Sequence, residues 1–388
     1  MLEKIREHYL KAISLDFEIV PMCALLGPRQ CGKTTLARQF AKTFNGSVHY
    51  FDLEDYTDLA KFENPKILLE SLEGLIIIDE IQRKPDLFPY LRVLADRSNS
   101  TTKFLILGSA SRDLLSQSSE TLAGRLSYIS IAPFLLQEVH DQKTLWVRGG
   151  FPRSYLASSD EASARWRTVY MQTYFEKDLA DLGINLPPQR IMRLWTMLAQ
   201  HHGCVLNYAN MAQFMDISVP TLKNYLYLLE GTFMIRTVSP YYDNGRKRLV
   251  KTPKLYIRDS GIYHQLCSIQ SYEQLINNTH IGMSFEGFAF EEVLKAFQAR
   301  TEECYFWGTH QGAELDLFLT IKNKRIGFEF KVNDKPKITK SMRTALDELS
   351  LDHLYIVTPI EQSFPMEEKV SVLALKDCVT VYQNLIKN

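Results

Sequence analysis

Residues 27–34 read GPRQCGKT, directly after the apolar run Met22–Leu26 and directly before the helix-forming stretch TTLARQFAKTF. Few patterns constrain a chain more, because a GxxxxGK[ST] loop holds phosphate on backbone N–H groups only between a strand and a helix. Gly27 and Gly32 let the backbone wrap a phosphate chain, Lys33 reaches the terminal phosphates, and the Thr34 hydroxyl faces magnesium. The nucleotide-binding set is therefore Gly27, Pro28, Arg29, Gln30, Cys31, Gly32, Lys33, Thr34 and Thr35. A glycine-rich turn with no ligand is the competing reading, and the flanking strand and helix tell against it. Nothing in the loop itself separates adenine from guanine.

Leu75 to Glu80 follow as LIIIDE. A buried parallel strand over Leu75–Ile78 delivers Asp79 and Glu80 at its carboxyl end, where ligands sit in open α/β sheets. Asp79 is placed to hold magnesium, directly or through water, and Glu80 to orient and activate an attacking water. Strand patterns at Met22–Leu26, Val48–Asp52, Leu75–Asp79, Lys103–Leu107 and Tyr128–Ile131 alternate with helical ones, which predicts a parallel sheet covered on both faces. Gly108-Ser109-Ala110 ends the fourth strand, so Ser109 is a candidate for contact with the γ-phosphate or its attacking water. Arg125 precedes the fifth strand and is a candidate for transition-state charge, in cis or across a subunit boundary; a surface salt bridge is the commoner fate of an arginine.

A chain of 388 residues is too long for one hydrophobic core, so several domains are expected: 1–140, 141–265 and 266–388. Net formal charge is zero, which argues against a uniformly basic nucleic-acid coat and leaves room for local patches. Six scattered cysteines form no CxxC pair, which fits reduced thiols and offers no zinc site. No run approaches 18 apolar residues, and MLEKIREHYLKAI is a charged amphipathic helix rather than a signal peptide, so a soluble, cytoplasmic protein without membrane contact is expected.

The ordered set GPRQCGKTTL, YFDLED, IIIDEIQ, LGSAS, LAGR and GGFPRSYL, continued in KTPKLYIRDSGIYHQL and SFEGFAFEEVL, resembles the AAA-type ATPases that carry the domain of unknown function 4143 at their C-terminus. The resemblance covers nearly the whole chain. It implies an α/β fold with a P-loop, parallel-sheet AAA-like core, ATP and Mg²⁺ as cofactors, Ser109 at the sensor position and Arg125 in the recurrent glycine–arginine element. In YFEKDL the family usually has arginine before Asp178, where this chain has Lys177. A bidentate contact would be weakened there, and no role is assigned.

The middle of the chain switches to helical periodicity, with the outline of a winged helix–turn–helix over Leu206–Pro240. Tyr208–Phe214 forms the first helix, Asp216-Ile217-Ser218 the turn, and Val219–Leu229 the second helix, with Val219, Leu222, Leu226 and Leu229 on one face. Thr221, Lys223, Asn224 and Tyr227 face outward, where they can meet DNA in a major groove or serve only as the outer face of a packing lid. Asp243-Asn244-Gly245 is a turn signal, and residues 236–258 hold seven Lys or Arg against one Asp, a local basic patch.

Near the C-terminus, strand-like runs Ala313–Ile321 and Arg325–Val332 are joined by KNK. Alternation puts Glu314 and Asp316 on one face, and Glu329 and Lys331 on one face of the next strand. Three carboxylates and an ammonium can thus converge, which is what metal-dependent phosphodiester cleavage needs. The pattern Asp316, then Glu329-Phe330-Lys331, resembles the PD-(D/E)xK nuclease signature, with Glu286 matching its helical glutamate. Eight Lys or Arg against two acids lie between Lys322 and Arg343. The resemblance implies an α/β nuclease-like domain, a second Mg²⁺ or Mn²⁺, and a nucleotide-controlled switch coupled to DNA. The alternative is an ATP-switch binding or assembly protein with a catalytically inert nuclease-like domain, its hairpin laced by cross-strand ion pairs.

Overall fold

The computed structural model describes residues 4–97, 101–109, 122–175, 179, 186–242 and 250–387. Ala110, Lys177, Asp178, the turn at Asp243, Asn244 and Gly245, and the basic run Arg246, Lys247 and Arg248 lie outside the described residues. The chain divides into two compact units, Met1–Pro133 with Gly231–Phe233, and Phe134–Glu230 with Met234–Asn388. Among the described residues no helix is long and apolar enough to cross a membrane. All six cysteines are free.

The first unit is built on β1 (Met22–Leu26), β2 (Val48–Asp52), β3 (Leu75–Asp79), β4 (Lys103–Gly108) and β5 (Leu126–Ser130). The sheet runs β2-β3-β4-β1-β5, parallel throughout. Every residue of β1 and β3 is buried, as a strand covered on both faces requires. Alternate side chains supply two cores. Met22, Ala24, Ile76, Ile78, Phe104 and Ile106 pack on one face, and Cys23, Leu25, Leu75, Ile77, Leu105 and Leu107 on the other. The fifth strand starts two residues earlier than its apolar pattern suggests, because Leu126 pairs with Met22 at the start of β1. Since β4 lies between β1 and β3, the end of β4 adjoins both the loop after β1 and the carboxylates after β3.

The second unit holds two sheets. β6 (Cys204–Val205), β8 (Lys254–Ile257) and β7 (Ile235–Val238) form a small antiparallel sheet in that spatial order. Between β6 and β7 come two helices, Tyr208–Met215 and Val219–Gly231, joined by a turn in which Asp216 takes the left-handed conformation (φ 55°). Leu222, Leu226 and Leu229 are buried and Lys223, Asn224 and Tyr227 exposed, as expected of the two faces, while Val219 and Thr221 are half-buried.

The larger sheet contains β9 (Cys304–Gly308), β10 (Glu314–Ile321), β11 (Lys324–Phe330), β12 (His353–Thr358), β13 (Phe364–Glu367) and β14 (Val370–Ala374) in the order β13-β14-β12-β11-β10-β9. It is mixed: β11, β12 and β14 run parallel, and the remaining pairs are antiparallel. The helix Ile281–Ala296 covers one face through Phe285, Ala289, Phe290 and Val293.

Candidate functional site

In the first unit the phosphate-type loop is shaped by three backbone features. Gln30 (φ 61°) and Gly32 (φ 102°) take left-handed conformations, and Gly32 caps the helix Lys33–Thr43, whose N-terminal N–H groups face the loop. A Cβ on Gly27 would stand 2.2 Å from the Ile131 carbonyl oxygen, so only glycine lets the loop leave β1 beside β5. Arg6 donates to the Cys31 carbonyl at 3.4 Å and to that of Ala132 at 3.0 Å, tying the loop to its base. Arg29 pairs with Glu54 at 2.7 Å. The buried Lys33 donates to the carbonyls of Gly27 (2.9 Å) and Pro28 (3.0 Å), which holds its ammonium inside the loop.

The end of β3 meets this loop. Asp79 Oδ2 accepts the Thr34 hydroxyl at 2.8 Å and the Tyr50 hydroxyl at 2.6 Å, and Oδ1 accepts the Glu80 N–H at 3.0 Å. Burial and the bond to Asp79 push the Tyr50 hydroxyl well above its ordinary pKa, so it stays a donor. Glu80 adopts φ 56°, which turns its side chain out of the strand path. Its Oε2 accepts a bond from Gln82 Nε2 and one from Ser109 Oγ at 3.3 Å, and Gln82 Nε2 also reaches Ser109 Oγ at 2.8 Å. Lys33, Thr34, Asp79, Glu80 and Ser109 are therefore gathered at one end of the sheet. The Thr34 hydroxyl and the Asp79 carboxylate form an oxygen pair of the kind that suits magnesium.

Arg125 is not part of this group. It precedes β5, whose first residue pairs with the first residue of β1, so it lies at the opposite end of the sheet from the loop. There it is ion-paired with Asp96 on the surface. The in-cis expectation is corrected by the parallel register.

In the second unit the C-terminal residues also converge, in an arrangement that alternation alone did not foresee. β10 carries a bulge between Leu315 and Phe318, and its ladder with β11 extends only to Leu317 opposite Phe328. Beyond that point the Asp316 side chain takes over, accepting the Phe330 N–H at 3.0 Å. Lys331 pairs with Glu329 at 2.7 Å. Between the carboxylates stands Lys254 of β8, 3% exposed, ion-paired with Glu314 and 3.6 Å from both Glu286 and Asp316. Tyr256 donates to Glu286 at 2.7 Å. Burial and the charge of Asp316 push Glu286 up to about 7 and Glu329 up to about 8. Burial works against the Lys254 charge, yet Tyr256, Glu286, Asp316 and Glu314 together hold its ammonium well above the ordinary lysine value.

Two expectations change accordingly. Among the described residues no group of three or more His, Cys, Asp or Glu is arranged to hold a metal ion, and a further ammonium, that of Lys254, stands among the carboxylates expected to hold a second Mg²⁺ or Mn²⁺. The basic density of residues 236–258 is likewise only partly a surface feature. Arg236 and Arg258 share Glu291 in half-buried ion pairs, and the buried Lys254 serves the carboxylates.

Tyr50, Gln82 and Lys254 were not singled out by sequence. Gln82 lies in IIIDEIQ, two residues past the candidate base Glu80, and Lys254 is the one charge in the strand KLYI; these are the only local signals.

The fold and site define a P-loop ATPase domain of the AAA type, joined to a second unit of different architecture. Residues 20–140 match the family model described as AAA domain, residues 139–273 a domain of unknown function (DUF8612), and residues 281–378 a domain of unknown function (DUF4143). The chain belongs to the family of the uncharacterized proteins Rv2008c of Mycobacterium tuberculosis and Mb2031c of Mycobacterium bovis. Each is 41% identical over 362 residues, covering 93% of this chain and 81% of the relative. Among solved structures, the Walker-type ATPase PABY2304 of Pyrococcus abyssi is similar at 15% identity and TM-score 0.46, over 69% of this chain and 98% of its own. A point mutant of RuvB from Thermotoga maritima is similar at 19% identity and TM-score 0.31, over 59% of this chain and 86% of its own.

Proposed function

We propose that the chain is a Mg²⁺-dependent ATPase whose nucleotide state controls DNA engagement by its second unit. The observation that carries the ATPase reading is the convergence of Thr34 and Tyr50 on Asp79 Oδ2, with Glu80 restrained beside them. Bound ATP and Mg²⁺ supply the scissile phosphoanhydride and the charge-neutralising cation. The loop N–H groups of Gly27 to Thr35 cradle phosphate, and Lys33 neutralises charge from within the loop. Asp79 orients the Thr34 hydroxyl, and Tyr50 fixes the Asp79 carboxylate. Glu80 accepts the proton of the attacking water, with Gln82 and Ser109 setting its direction. Arg125 is retained only for a role across a subunit boundary.

The functional division follows the expected segments: ATPase core over 1–140, helical segment with winged helix over 141–265, nuclease-like domain over 266–388. Support for the winged helix comes from the helix–turn–helix and its three-stranded sheet, with Lys223, Asn224 and Tyr227 exposed on the second helix. Support for the nuclease-like fold comes from the mixed sheet and from Glu286 on the helix packed against it. The switch reading uses the general ability of a γ-phosphate to bias a two-state arrangement.

Fluorescence anisotropy with labelled duplex DNA tests the coupling. Affinity should differ by roughly 10-fold between ATP- and ADP-loaded protein, and the difference should vanish in Lys33→Ala. Equal affinity in all nucleotide states sinks the switch and leaves an ATPase with some other partner.

A further inference from the structure

A buried ammonium among three carboxylates needs a reason, because removing lysine from water is costly unless its charge is fully compensated. Lys254 and Tyr256, two residues apart on β8, present to the same side of their strand. That side faces Glu286 from the helix Ile281–Ala296 and Glu314 and Asp316 from β10. The Lys254 ammonium lies within 3.6 Å of three carboxylates and 5.6 Å from the centre of the Phe306 ring, whose face adds a further attraction for a cation. In a metal-dependent nuclease these carboxylates would instead bind a divalent ion through oxygens at about 2.0–2.6 Å. Such an ion beside Lys254 would add two like charges to a point already carrying one.

We propose that Lys254 is the resident cation of the C-terminal carboxylate cluster, holding Glu286, Glu314 and Asp316 in the place a divalent ion would take. The nuclease-like domain of this chain is then a metal-independent, non-cleaving module. The comparison with a nuclease rests on the reading of the fold given above; the ion pairs do not.

Both ammonium groups of the cluster already have carboxylate partners: Lys254 is ion-paired with Glu314 and lies 3.6 Å from Glu286 and Asp316, and Lys331 pairs with Glu329 at 2.7 Å.

The test titrates Mn²⁺ into the nucleotide-free full chain by calorimetry and assays cleavage of supercoiled DNA in Mn²⁺, comparing wild type, Asp316→Asn, Lys254→Met, Lys254→Arg and the double variant Lys254→Met with Asp316→Asn. Wild type should show neither Mn²⁺ binding nor cleavage that depends on Asp316. Lys254→Met should lose roughly 10 °C of Tm and gain a Mn²⁺ site that raises Tm again and disappears in the double variant. Lys254→Arg keeps the charge, so it should stay folded and Mn²⁺-indifferent even if Lys254→Met fails to fold. Asp316-dependent binding or cutting by wild type overturns the proposal, as does a Lys254→Met variant with unchanged Tm. A variant that loses Tm yet gains no Mn²⁺ site upholds the resident cation and contradicts the nuclease-like reading.

Discussion

Glu80 sits at φ 56°, a conformation that costs a side-chain-bearing residue about 1 kcal/mol and that clusters at working sites. Gln82 and Ser109 both donate to its carboxylate, and Gln82 is a positioning residue because it acts through Glu80. Gln82→Ala should lower kcat roughly 10-fold with little change in KM, read from steady-state phosphate release; an unchanged kcat removes that role. At the second cluster the sign of the pH dependence follows from the direction of the shift. Glu329 is raised to about 8 by burial first and by Asp316 second, with Lys331 and Glu286 also facing it. The folded chain therefore holds a proton that the unfolded chain has released, and this stability is full below the unfolded carboxyl value and lost as pH rises toward about 8. Between pH of about 5 and 8 the Tm of wild type should fall more steeply than that of Glu329→Gln, and equal slopes would contradict the shift. Lys33, Thr34, Asp79 and Glu80 were legible because their loop and strand fix them locally. Lys254 was not, since its partners Glu286, Glu314 and Asp316 come from other elements and no period in the sequence joins them.

At the scale of elements, the sheet order β2-β3-β4-β1-β5 does the assembling. Strand identity could be read from apolar runs, and β1, β2 and β3 begin and end where those runs do. Strand order could not, because β1, β3 and β4 are buried on both faces and share one signature whatever their neighbours. That order brings Ser109 beside Glu80 and sends Arg125 to the far end. The β10 bulge was equally hidden: one extra residue moves Asp316 onto the Phe330 N–H without disturbing the apolar pattern. The turn out of β1 is tight, because the Ile131 carbonyl leaves no room for a methyl at Gly27. Gly27→Ala should weaken ATP affinity at least ~10-fold while circular dichroism stays that of wild type, because the loop must move to clear the backbone. Retained affinity would show that the loop tolerates a different path.

In the whole molecule, an ATPase core is joined to a second unit that contains two distinct sheets, one small and antiparallel, one mixed. The core's identity was legible from two motifs, since both the loop and LIIIDE report a strand end that has one purpose. The character of the second unit was legible only as outline: its helix–turn–helix follows apolar spacing, whereas Arg236, Lys254 and Arg258, a basic patch by composition, are paired with acids from other elements. Everything proposed for the core depends on Glu80 activating water at an ATP site built by Lys33, Thr34 and Asp79. Mg²⁺-dependent phosphate release and ATP affinity, measured side by side in wild type and Glu80→Gln, decide whether it does. The variant should bind ATP with wild-type affinity and turn it over at least ~10²-fold more slowly. Wild-type turnover in Glu80→Gln, or no Mg²⁺-dependent release from the unaltered chain, would contradict that role.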